Sequence, residues 1–69
     1  MKKIERIEQN LSKNNFAEND FRSLADQLSL AFKNDQNIIS YKYLGIDPYP
    51  IKDNDQVRTV FTFEVEYND

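Results

Sequence analysis

From residue 57 to residue 67 the chain alternates with period two. Val57, Thr59, Phe61, Phe63, Val65 and Tyr67 share one side, and Arg58, Val60, Thr62, Glu64 and Glu66 share the other. Successive side chains of a strand point to opposite faces, so this stretch predicts one long strand with an apolar face and a polar one. A strand of that length needs neighbours for both rows of its backbone groups, and the remaining residues supply one obvious partner. The rest of the fold has to be read around that demand.

Sixty-nine residues make one small domain. A chain near this size buries only about 60 % of its unfolded surface, so its core must be compact. Apolar residues at 39 % and aromatics at 13 % are enough to build one. Cysteine is absent, which removes disulfides and thiolate metal sites. The charged start, Met1-Lys2-Lys3-Ile4-Glu5-Arg6, does not resemble a secretory leader. No run reaches the roughly 20 apolar residues that span a bilayer. The expected location is cytoplasmic, with no membrane partner.

The first segment carries Met1, Ile4, Ile7 and Leu11 at three- and four-residue spacing, which predicts an amphipathic helix over about residues 2–13. A second helix is expected over about 16–34, where Phe21, Leu24, Ala25, Leu28, Ala31 and Phe32 recur at helical spacing. Asn15 or Asn19 is its candidate start, and Asn34 is placed to end it in a left-handed conformation. Ile38 to Ile46 is rich in β-branched and aromatic residues and reads as a strand. Asp47-Pro48-Tyr49-Pro50 opens a loop over 47–56, because proline cannot donate to a ladder. The expected class is α+β: two amphipathic helices followed by an antiparallel β-hairpin (ααββ). The helices pack on the sheet face bearing Phe61 and Phe63, with Tyr41 and Tyr43.

Reactive chemistry is scarce. Histidine and cysteine are both missing, and the lone glycine, Gly45, cannot build a phosphate-cradling loop. An enzyme is not expected, nor is a cofactor or metal. Asp53-Asn54-Asp55 has the start of a calcium loop, but its sixth position is Arg58 where such loops need glycine, so it reads as a solvated turn. The aromatics Tyr41, Tyr43, Phe61 and Phe63 have the composition of a base-stacking platform, yet only Lys42 and Arg58 flank them. Core packing is the better reading.

Charge is uneven. Residues 1–13 hold four cations against two anions, and the remainder five against ten. An acidic body argues against a general nucleic-acid binder. If the proline loop folds toward the end of the last strand, Asp47, Asp53, Asp55, Glu64, Glu66 and Asp69 form an acidic surface. Tyr49, held between two prolines, has the character of an interface anchor. Asp47, Tyr49, Asp53, Asp55, Glu64 and Glu66 are therefore the candidate partner-binding residues.

The reading is a small acidic, non-enzymatic protein-interaction module that binds a protein partner through a strand edge, an acidic surface, or both. Homodimerisation by strand pairing is its simplest form. Asn, Lys, Ile, Phe, Tyr and Met total 30 residues against 9 for Gly, Ala, Arg and Pro, a bias toward AT-rich codons. That bias suggests a low-GC bacterium or phage, and with it an inhibitor or modulator of a host protein. Alternatives are a nucleic-acid binder using the aromatic sheet face or the basic first helix, and a structural subunit of a larger assembly.

Overall fold

The computed structural model describes residues 1–68. Its elements are β1 (Lys2–Ser12), a 3-10 turn (Phe16–Glu18), a helix bent at Ser29 into α1 (Phe21–Leu28) and α2 (Leu30–Lys33), β2 (Ile38–Pro50) and β3 (Gln56–Tyr67). The class is α+β, but the order is not two helices followed by a hairpin. The expected first helix is a strand. The sheet order is β1-β3-β2, and β3 pairs antiparallel with both neighbours.

The first segment has residues with good helix propensity and apolar spacing that fits a helix face. Tertiary pairing overrides both, because β1 ladders to β3 without a register break from Lys2↔Glu66 to Ser12↔Gln56. Its half-buried residues alternate as Glu5, Ile7, Gln9 and Leu11, while Ile4, one of the supposed helix-face residues, is 46 % exposed. Charges on β1 match β3 across the ladder. Lys2 Nζ lies 3.8 Å from Glu64 Oε1, and Arg58 Nη1 donates to Glu8 Oε1 at 2.8 Å. Lys3 Nζ sits 5.5 Å from the centre of the Tyr67 ring.

The apolar face of β3 forms the core. Phe61, Phe63 and Val65 are buried with Ala25 of α1 and Phe32 of α2. Phe32 meets Phe63 edge-on at 5.2 Å between ring centres, and Tyr43, its cross-strand neighbour on β2, lies tilted against it at 5.8 Å. Of the two helices expected on the Phe61 and Phe63 face, only the second, bent one packs there; the segment expected to form the first is β1. The Phe16 and Phe21 rings meet at a tilt, 5.1 Å between centres, where the chain enters α1.

The start of α1 differs from expectation. Asn15 makes no side-chain cap bond, and Asn19 donates its side-chain amide to the Asn15 and Phe16 carbonyls. Asp20 is the N-cap, accepting from the Ser23 N–H at 3.1 Å. Asn34 ends α2 at φ −89°, not in the left-handed region. The positive φ instead falls at Asp53, in the turn between β2 and β3 (φ 61°).

β2 does not stop at Ile46. It runs through Pro48 and Pro50, with register shifts between Ile38 and Ser40 and between Tyr43 and Gly45. The second shift leaves Leu44 without a partner and places Gly45 at φ +146°, where a side chain is disfavoured. A Cβ added there would meet nothing within 4 Å, so Gly45→Ala should cost backbone strain alone, about 1–3 kcal/mol. A shift of the urea midpoint at constant slope would register it.

Candidate partner-binding edges

β3 keeps neither of its backbone rows open. Both are paired within one copy, so the expectation that the C-terminal strand seeks a partner is corrected. The free rows belong to β1 and β2, and the ladder hydrogen bonds decide what each presents.

In an antiparallel pair, residues alternate between those bonded to the neighbour and those whose N–H and C=O point away. Tyr67 N–H donates to the Met1 carbonyl at 2.7 Å, and the Met1 ammonium donates to the Tyr67 carbonyl at 2.9 Å. At the other end Lys13 N–H donates to the Asp55 carbonyl at 2.7 Å. These three bonds set the parity of the whole ladder. Odd residues of β1 face β3, while Lys2, Ile4, Arg6, Glu8, Asn10 and Ser12 turn their backbone groups outward. Their side chains point to the sheet face opposite the helices.

The same reasoning applies to β2. Ile51 N–H donates to the Gln56 carbonyl at 3.1 Å. From there the register makes Tyr49, Asp47 and Gly45 the residues bonded to β3, leaving Ile46, Pro48 and Pro50 outward. Two of those three have no N–H to offer. With its two register breaks as well, β2 has a blunted edge of the kind that resists strand addition. The prolines fit inside a strand because their missing donors fall on the solvent side.

The candidate binding residues are dispersed. Asp47, Tyr49, Glu64 and Glu66 lie on the helix-free face, opposite Val60, Arg58, Lys42 and Ser40 respectively. Asp53 and Asp55 sit in the turn at the start of β3. Glu66 lies at the far end of that strand, about 36 Å from Asp55 at strand rise. The loop does not fold toward the end of β3, so no single acidic surface gathers these residues; Asp69 is outside the described residues. Lys2, Arg6, Lys42 and Arg58 interleave with Glu8, Asp47, Glu64 and Glu66, and the face is balanced in charge. The exposed ring of Tyr49 carries the Arg58 guanidinium at 4.9 Å, which braces it against the sheet.

Phe61 and Phe63 are 0 % and 1 % exposed, and they lie beneath the helices rather than forming a platform for bases. The basic first helix does not exist. An open depression of about 300 Å³ lies between α1 and β2, with Arg22, Asp26, Tyr41 and Lys42 around it. It pairs no nucleophile with a base. Among the described residues no group of acidic side chains is placed to hold a metal ion, and no helix is long and apolar enough to cross a membrane.

Tyr67 closes the sheet end near β1. Its hydroxyl donates to Glu5 Oε1 at 3.2 Å. Partial desolvation, and then the Glu5 carboxylate, push its phenol above the usual tyrosine range. It therefore stays a donor at neutral pH.

No family model, curated protein or solved structure matches the chain. Function has to be argued from the edges themselves. Residue spacing alone missed β1; the visible signal was the charge match of Lys2 with Glu64 and Glu66 and of Glu8 with Arg58.

Proposed function

We propose that this chain is a non-enzymatic protein-interaction module that takes up an extended segment of a protein partner along the free edge of β1. One observation carries this reading. The β1 edge is a regular row of outward N–H and C=O groups with no proline and no bulge, while the opposite edge of the sheet, β2, is blunted. Main-chain bonds would supply affinity, and the alternating side chains beside them specificity. Lys2, Arg6 and Glu8 flank this edge. They discourage indiscriminate pairing, since an added strand must bring complementary charges.

This reading replaces the acidic surface with the β1 edge as the recognition element. It also draws support from the absence of histidine and cysteine. The test uses short peptides selected from a displayed random library on the intact protein, followed by amide hydrogen exchange. A bound peptide should slow exchange at Ile4, Arg6, Glu8 and Asn10, and leave Glu5, Ile7 and Gln9, already bonded to β3, unchanged. Protection confined to β2 or the helices would refute the reading.

A further inference from the structure

The β1 edge also indicates which strand fits it best. We propose that a second copy of this chain pairs with it, β1 against β1, about a two-fold axis through Ile7. The inference rests on the edge reading above and adds the occupant and its register.

A two-fold axis perpendicular to the sheet keeps the helices of both copies on the same side. Residues opposite each other then point to the same face, and outward-bonding residues meet only outward-bonding residues. These conditions leave registers that differ by steps of two, of which one satisfies two independent criteria. With Ile7 opposite Ile7 of the second copy, Lys2 faces Ser12, Ile4 faces Asn10 and Arg6 faces Glu8, each reciprocally. Every outward N–H and C=O of β1 finds a partner. Shifting one step either way strands an end residue and brings like charges together, Arg6 on Arg6 or Glu8 on Glu8. Only the Ile7-centred register gives full-length pairing and opposite charges at its centre.

The surroundings agree with this geometry. Glu8 already accepts from Arg58 of its own chain at 2.8 Å, whereas Arg6 has no ion pair among the described residues. The second copy's Glu8 would extend the row to alternate Arg58, Glu8 and Arg6 across the joined sheets. The helices lie closest to β2, and the helix-side residues of β1 are only half-buried. Ile7, half-buried in one copy, would meet its equivalent on the helix side. The product is a six-stranded sheet whose two remaining edges are both β2, the edge blunted by Pro48 and Pro50. Assembly therefore closes at two copies and does not continue into a fibre.

The absence of native cysteine makes cross-linking a clean test. Opposed residues at a non-hydrogen-bonded site stand about 4.5 Å apart between Cα atoms, within disulfide reach. Ile7→Cys should form a covalent dimer under mild oxidation. Asn10→Cys should not, because two copies of position 10 are offset by about 20 Å at strand rise. Ile7 also contacts the core, so an exposed pair provides the second test: Arg6→Cys chains oxidised together with Glu8→Cys chains should give predominantly the mixed dimer. Sedimentation of the unaltered chain should show concentration-dependent dimer. A chain that stays monomeric into the millimolar range, or cross-links equally at positions 7 and 10, would overturn the proposal. Were selected peptides still to protect Ile4, Arg6, Glu8 and Asn10 in that case, self-pairing alone would fall and the edge reading would stand.

Discussion

Phe63→Ala is expected to leave the chain largely unfolded at room temperature. Phe63 is 1 % exposed, at the centre of the middle strand, with Phe32 edge-on at 5.2 Å and Tyr43 at 5.8 Å. Removing a buried phenyl ring costs about 3–5 kcal/mol, partly in lost transfer energy and partly in the cavity left behind. A domain of this size rarely holds more than about 3–5 kcal/mol in total. The core cannot rearrange to fill the gap, because its fully buried members are few and Phe61 and Val65 are committed to the same strand face. Far-ultraviolet circular dichroism and urea titration would measure the effect. A native spectrum with a loss below about 1 kcal/mol would mean the helices do not depend on this contact.

The fold was legible wherever burial dictates the pattern. β3 is central and covered on its apolar side, so the alternation of Val57, Phe61, Phe63 and Val65 appears undiluted in the residues. α1 shows itself through Phe21, Leu24, Ala25 and Leu28, which all face the sheet or its margin. β1 is an edge strand whose covered positions are only half-buried, and two of them are the polar Glu5 and Gln9, so its burial alternates without an apolar alternation in the residues. Its period-two signal is carried mainly by Ile7 and Leu11, which a helix at four-residue spacing would also place together. What decides its state lies some fifty residues away, in the unpaired row of β3, and no local reading of residues 1–13 contains it. β2 was cut short for a related reason. Proline excludes a residue from a ladder only on the side where its N–H is needed, and spacing alone does not say that Pro48 and Pro50 face outward. The candidate acidic residues can be picked out singly from the sequence, but their grouping depended on a loop direction that the β2–β3 register reverses.

The same parity predicts opposite outcomes for proline at two adjacent positions. Gln9 pairs with Thr59, and its N–H faces β3. Gln9→Pro deletes that donor, leaves a buried carbonyl on β3 unsatisfied at about 1–3 kcal/mol, and pushes the pyrrolidine ring between paired strands. The combined loss should reach about 3 kcal/mol or more, enough to unfold most of the population. Asn10→Pro deletes a donor that faces outward. It should stay within about 1 kcal/mol of the unaltered chain, since proline is tolerated on the solvent side of an edge strand. That folded variant should nevertheless lose strand addition, because its outward row is broken as β2's is by Pro48 and Pro50. Sedimentation should then find it monomeric where the unaltered chain dimerises, with peptide binding weakened at the same edge. Equal stability loss at positions 9 and 10 would mean that β1 does not present its even residues outward. With that parity gone, neither the choice of β1 over β2 nor the Ile7-centred register would follow.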